Sequence, residues 1–234
     1  MNENQDKVFN KTNINWYPGH MAKTRKQIIE DLKLIDVVVE LLDARLPLSS
    51  QNPDLKEIIG NKKKIIVLNK CDLADDNENK KWVNYFEKQG NKAVLTDSNS
   101  GKGISEVIRQ IENVMKEDLE KMALKGRLGK SIKVMILGIP NVGKSSFINR
   151  VSKKTSANVG NKPGVTRQKQ WIRLKSNIEL LDTPGVLWPK FESEQVALNL
   201  SYVGTIKDDV LEKTEIAFFL LKFLLENYKE NVLR

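Results

Sequence analysis

The run Gly138-Ile139-Pro140-Asn141-Val142-Gly143-Lys144-Ser145 constrains the fold more than any other stretch of the chain. It matches G-x-x-x-x-G-K-[ST], a loop whose backbone N–H groups turn inward around phosphate oxygens, and that geometry needs a strand before it and a helix after it. Both are written beside it. Ile132 to Leu137 is apolar except for Lys133, as expected of a strand largely covered on both faces, and Phe147 to Val151 continues as a helix. At such a site the helix N-terminus adds partial positive charge, Lys144 reaches the β- and γ-phosphates, and Ser145 offers its hydroxyl to Mg²⁺. Asn141, Val142, Gly143 and Ser146 complete the segment expected to wrap the nucleotide.

A phosphate loop does not choose between adenine and guanine. That choice is carried by Asn69-Lys70-Cys71-Asp72, which follows the short β-branched strand Lys64 to Leu68. A carboxylate at Asp72 can accept from guanine N1–H and N2–H₂, a donor pair that adenine lacks on the same edge. Lys70 can lay its stem along the base while Asn69 braces the loop. Asp97-Ser98-Asn99, after the third strand Ala93 to Leu95, is where a loop approaches the guanine carbonyl with a backbone N–H. On the phosphate side, Asp182-Thr183-Pro184-Gly185 follows the strand Ile178 to Leu181. Asp182 is expected to hold Mg²⁺ through water, and the Gly185 N–H to lie near the γ-phosphate. Thr166 is the expected switch residue, adding a second hydroxyl to Mg²⁺ only when the γ-phosphate is present. The guanine motif precedes the phosphate loop, so the nucleotide domain is circularly permuted.

Strands alternating with helices predict a doubly wound α/β sheet. Ala22 to Leu34 carries Ile28, Ile29, Leu32 and Leu34 at helical spacing, and the strand Val37 to Leu42 follows. Trp82, Val83 and Phe86 mark one helix face, Ile104 to Met122 is a long amphipathic helix, and Trp171 to Leu174 with Ile178 to Leu181 reads as a hairpin. Ser152 to Lys169 reads as a polar loop. The expected organisation is a polar tail over 1–15, the permuted GTPase domain over 16–188, and a small, incomplete C-terminal α-helical domain over 189–234. Within that last part, Ile216 to Leu225 is interrupted by Lys222, too short to cross a membrane, and expected to be a buried helix.

Lys plus Arg number 39 against 30 Asp plus Glu, a formal charge of +9 that suits contact with polyanions and equally suits a solvated lysine surface. Lys62 to Lys64, Arg150 to Lys154 and Lys162 to Lys175 could meet RNA phosphates, with Trp171 and Trp188 stacking; the alternative is a solvated face and core tryptophans. The single cysteine, Cys71, cannot form an internal disulfide, and no Cys/His cluster has zinc spacing. With no apolar signal core and no membrane-length segment, a cytoplasmic protein is expected.

The order guanine motif, phosphate loop, switch threonine and D-x-x-G, preceded by Trp16-Tyr17-Pro18-Gly19-His20-Met21-Ala22-Lys23 and by Asp43-Ala44-Arg45-Leu46-Pro47, resembles bacterial ribosome biogenesis GTPase A from about Trp16 to about Trp188. The resemblance implies a GTPase that binds a late, immature large ribosomal subunit, helps its final assembly and touches ribosomal RNA through a C-terminal helical domain. A monomer with low intrinsic activity, stimulated by the particle, is expected. The alternative is a GTP-gated RNA- or protein-binding scaffold with incidental hydrolysis.

Hydrolysis is where the two part. Many GTPases place a Gln after D-x-x-G to orient the attacking water, but Val186 stands there. His20, the single histidine, can orient water from a neighbouring loop, as the resemblance also suggests, or can merely fasten the turn before the first helix. Lys144 is the other residue expected to act in catalysis. Asn141 resembles the residue with which potassium-dependent GTPases hold a monovalent cation near the phosphates, or it only caps the loop.

Overall fold

The computed structural model describes residues 19–127, 129–154, 170–174, 177–188, 191, 193–206 and 213–233. They form two compact units, one over 19–187 and one beginning at Trp188. Thr166, and with it most of the expected polar loop, lies outside the described residues. Ser152 and Lys153, assigned to that loop from sequence, are helical.

In the larger unit the strands are β1 (Val37–Asp43), β2 (Lys63–Asn69), β3 (Lys92–Thr96), β4 (Ile132–Gly138), β5 (Gln170–Arg173) and β6 (Ile178–Asp182). They make a six-stranded sheet in the order β3-β2-β1-β4-β6-β5. Every neighbouring pair is parallel except β5 with β6, which form an antiparallel pair at the edge. The doubly wound sheet read from the sequence is therefore present. All of β1 is buried, which is why Val37 to Leu42 carries no alternation: helices cover both faces of a central parallel strand.

The helices of this unit are α1 (Gly19–Leu32), α2 (Pro53–Ile59), α3 (Asp76–Lys88), α4 (Ile104–Leu124) and α5 (Lys144–Lys154). On one face Ile28 and Leu32 of α1 join Leu55 and Ile59 of α2 over Val38, Met135 and Leu137. The sequence also counted Ile29 and Leu34 in the α1 stripe. Both are exposed, because the helix stops at Leu32 and Ile29 lies a quarter-turn from Ile28. On the other face Phe86 of α3 is wholly enclosed against Leu42, Ile66 and Leu68, with Trp82 and Val83 partly buried beside it. The helix α2 went unread in the sequence, although its start is marked: Asn52 caps it by accepting from the Asp54 N–H, and Pro53 sits in the first turn.

Chain order runs from β1 outward to β2 and β3, then returns to β4 on the other side of β1, continues to the edge strand β5 and comes back to β6 between them. The direction reverses between β1 and β4, and a ligand crevice opens at the carboxyl ends of strands at such a switch point. Asp43, Asn69, Thr96, Gly138 and Asp182 end the five parallel strands.

The second unit contains α6 (Glu194–Tyr202), α7 (Lys213–Asn227) and α8 (Lys229–Val232). Ser193 caps α6 by accepting from the Val196 N–H. Trp188 is buried and meets Phe191 edge to face at 5.3 Å. The expectation of a buried Ile216 to Leu225 is not met: α7 has no buried residue, and Phe218, Leu221, Phe223 and Leu225 are exposed. An apolar surface around a helix needs neighbours on every side, and the packing of α7 against α6 and α8 leaves none of its described residues buried. No helix among the described residues is long and apolar enough to cross a membrane.

Candidate nucleotide site

Three loops at the carboxyl ends of the parallel strands are tied together by one asparagine. Asn69, 1% exposed, donates from Nδ2 to the Val142 carbonyl at 2.9 Å. Its Oδ1 accepts from the Thr96 hydroxyl at 3.1 Å and the Ser98 hydroxyl at 2.7 Å. The guanine motif thus braces the phosphate loop on one side and the Asp97-Ser98-Asn99 loop on the other. Gly143 shows how tight the brace is, since its φ of +98° suits glycine and an added Cβ would sit 2.5 Å from Asn69 Nδ2.

The guanine side is built on a strained turn. Lys70 and Asn141 both adopt left-handed backbone, with φ of 61° and 60°, and Lys70 Nζ donates to the Asn141 carbonyl at 2.7 Å. Cys71–Leu73 then makes one 3₁₀ turn that carries Asp72, and the buried Asn79 of α3 donates to the Cys71 carbonyl at 3.0 Å. Asn69, Lys70, Asp72, Asp97, Asn99 and Ser146 line a cavity of about 230 Å³ together with Arg45 and neighbouring residues. Cys71 is buried, and burial pushes its thiol pKa up, so it is a packing group and not a nucleophile.

The third loop uses its side chains to hold itself. The Asp97 carboxylate accepts from the Asn99 N–H at 2.7 Å and the Ser100 N–H at 3.1 Å, and hydrogen bonding by Ser100 holds it below the usual carboxylate range. With the Ser98 hydroxyl turned to Asn69, the Asp97 N–H donating to the Lys102 carbonyl and the Asn99 N–H to the Asp97 carboxylate, the Ser98 N–H is the backbone donor that this loop has left for a ligand among the described residues. Arg150, read from sequence as part of a basic group that could meet RNA, donates from Nε to the Ser98 carbonyl at 2.9 Å and so serves this loop. Lys62, Lys63 and Lys64 are likewise engaged within the protein, by the Ile35 carbonyl, Asp118 and Glu40 at 2.8, 2.7 and 3.0 Å.

On the phosphate side, Phe147 N–H donates to the Gly143 carbonyl as α5 begins, with Ser145 and Ser146 exposed in the first turn. Lys144 is 8% exposed and its Nζ donates to the carbonyls of Gly138 at 3.2 Å and Ile139 at 2.8 Å. Burial pushes its pKa down to about 8, opposed by the charge of Asp182. Burial also raises Asp182, opposed by Lys144. Gly185 lies against the loop so closely that a Cβ would meet both Lys144 Nζ and Pro140 N at 2.8 Å. The Val186 N–H donates to the Gly138 carbonyl at 3.3 Å, its carbonyl accepts from Asn52 Nδ2 at 3.2 Å, and its side chain enters the α1–α2 core. His20 is the second residue of α1; its side chain lies outside the described residues, as does all of Thr166.

The donor set fits magnesium chemistry. Asp182 presents a carboxylate at the end of β6 and Ser145 a hydroxyl in the first turn of α5, which follows the neighbouring strand β4; these are the hard oxygen ligands that Mg²⁺ takes beside substrate phosphates. The arrangement as a whole offers inward backbone at a helix N-terminus, one buried ammonium, and a carboxylate at the rim of a base-sized cavity. Those parts bind a purine nucleotide by both ends. Sequence reasoning missed Asn79, Asn52 and Arg150 as supports, and attached no role to Asp43.

Known proteins share this plan. A family model described as a 50S ribosome-binding GTPase matches residues 133–231. Ribosome biogenesis GTPase A of Bacillus cereus is 48% identical over 219 residues, covering 94% of this chain and 74% of that protein. Its namesake in Thermotoga maritima is 36% identical over 203 residues, covering 87% and 70%. The solved structure of GNP-bound YlqF from T. maritima matches with a TM-score of 0.60 and 29% identity, covering 87% of this chain and 75% of that one. Its GDP-bound form matches at 0.60 and 31%, covering 81% and 70%. With the guanine loop before the phosphate loop in the chain and beside it in space, this protein belongs to the ribosome biogenesis GTPase A family, circularly permuted enzymes that hydrolyse GTP in ribosome biogenesis.

Proposed function

We propose that this GTPase assists late assembly of the large ribosomal subunit, that it turns over slowly alone, and that the subunit activates it. The observation that carries the reading is the single polar network joining the guanine loop, the phosphate loop and the Asp97–Asn99 loop at the carboxyl ends of the parallel strands. It is supported by the relatives named for ribosome biogenesis and by the 50S-binding description of the matching family model.

In this reading Asp72 accepts from the guanine edge, Lys70 lies along the base, Asn69 braces the loops, and the Ser98 N–H of the Asp97–Asn99 loop meets the guanine carbonyl. Backbone N–H groups from Asn141 to Ser146 surround the phosphates, and the Lys144 ammonium neutralises charge that develops on the transferred phosphoryl group. Ser145, Thr166 and Asp182 would hold Mg²⁺, which would supply positive charge to offset that of the phosphate oxygens. The Asn141 amide, exposed on its left-handed turn, would serve a potassium ion in the same way.

Slow intrinsic turnover follows from Val186, whose side chain is committed to the core and cannot orient water. His20 supplies that function once the particle is engaged. The enzyme works as a monomer in the cytoplasm, on ribosomal RNA of the large subunit. The buried Val186 also favours the second reading, a GTP-gated scaffold. Steady-state GTP turnover in potassium buffer, with large subunits and with small subunits as control, separates the two. A large increase with large subunits alone, lost in His20→Ala while GTP affinity is kept, is the expected result; no increase with either subunit would select the scaffold.

A further inference from the structure

The motif Asp43-Ala44-Arg45 has no part in the nucleotide chemistry above, yet it ends β1 at the switch point of the sheet. Strand register pairs Asp43 with Asn69, so the carboxylate stands beside the root of Lys70. The Asp43 side chain is 2% exposed and fully used. Its Oδ1 accepts from the Arg45 backbone N–H at 3.1 Å and from Arg45 Nε at 2.9 Å. Its Oδ2 accepts from Arg45 Nη2 at 2.7 Å and from Lys70 Nζ at 3.0 Å. Its own N–H donates to the Ser50 hydroxyl at 3.0 Å, which fixes the backbone beneath. Burial alone would raise the Asp43 pKa; the Arg45 hydrogen bond and the charges of Lys70 and Arg45 outweigh it and leave the carboxyl lowered.

A lysine stem has four rotatable bonds, and its freedom is lost when it lies on a base. Here that freedom is already removed, because one ammonium bridges the Asp43 carboxylate and the Asn141 carbonyl. The bidentate fork from Arg45 keeps the carboxylate in place and offsets its burial, and Arg45 lines the same cavity as Lys70 and Asp72.

We propose that Asp43 and Arg45 are a positioning pair for guanine binding: anchored by Arg45, Asp43 holds Lys70 in its base-covering pose before the nucleotide arrives and ties that pose to the phosphate loop. The proposal rests on the reading of Lys70 as the residue that lies along the base. Pre-organisation of this kind raises affinity without a new ligand contact.

The test is a double-mutant cycle on GDP affinity, measured by displacement of a fluorescent GDP, with the thermal midpoint recorded for each variant. The variants are Asp43→Asn, Lys70→Ala and the pair. Asp43→Asn is expected to weaken GDP by about tenfold in the native background and by less than about twofold in the Lys70→Ala background. A residue that merely stabilises the fold would lower the thermal midpoint and cost the same affinity in both backgrounds; that additive result would overturn the proposal while leaving the Lys70 reading standing. Unchanged GDP affinity in Lys70→Ala would overturn both. Should Asp43→Asn fail to fold, Arg45→Gln, at a partly exposed side chain, carries the same cycle, with a loss expected only where Lys70 is present.

Discussion

Leu42, Ile66 and Phe86 in the nucleotide unit are wholly enclosed, while Phe218 and Phe223 of α7 in the second unit are 63% and 42% exposed. Both regions are rich in large apolar residues, so composition does not separate them. Neighbours do: β1 has a strand on each side and helices over both faces, whereas α7 contacts α6 and α8 among the described residues of its unit. Apolar content tells how much surface a segment can bury, and the surrounding elements decide how much it does bury.

That contrast can be broken by substitution. Phe86→Ala removes a side chain with no exposure and should destabilise the nucleotide unit by about 3–5 kcal/mol, read as a fall in the urea midpoint. Gly185→Ala is the next largest: its Cβ would displace Lys144 or the loop at Pro140, and GTP affinity should drop by about a hundredfold, or about 2.7 kcal/mol. The smallest effect is expected at Phe218→Ala, within about 0.5 kcal/mol, because little apolar area leaves a buried environment. A loss at Phe218 as large as that at Phe86 would show that the two regions are not different in kind.

Between these lies a dependence on pH. Lys144 titrates at about 8 in the free protein, and polyphosphate, being negative, must raise that value in the complex. Below about 8 the ammonium is already formed and GDP affinity is flat; above it, binding must take up a proton, so affinity falls. From one unit below that value to one unit above, the dissociation constant should rise by about tenfold. A flat profile across the window would mean that the Lys144 ammonium does not meet the phosphates.

Much of this was readable from the chain alone because the motifs carry their own geometry. Gly138 to Ser145 needs a strand before it and a helix after it, and β4 and α5 supply them. The carboxyl ends of β2 and β6 deliver Asn69 and Asp182 for the same reason. The short helix α2 was missed because seven residues show too little periodicity, although Asn52-Pro53 announces its start. The burial of α7 was over-read, since an apolar run states what a helix can cover and not what is there to cover it. Supports such as Asn79 and Arg150 left no pattern: a lone amide inside a helix, or an arginine among basic residues, takes its role from a carbonyl distant in sequence. Asp43 and Arg45 were visible as a motif, and their link to Lys70 appears only once β1 and β2 are paired in register.

The central claim is that segments scattered from Asp43 to Gly185 rebuild one guanine-nucleotide site, with Asp72 reading the base. Its most direct test is the affinity of Asp72→Asn for GDP and for xanthosine diphosphate, whose 2-oxo group accepts where guanine donates. The account predicts that GDP binding falls by about a hundredfold or more and that xanthosine diphosphate becomes the preferred ligand. Retention of native GDP affinity, with no gain for xanthosine diphosphate, would contradict it.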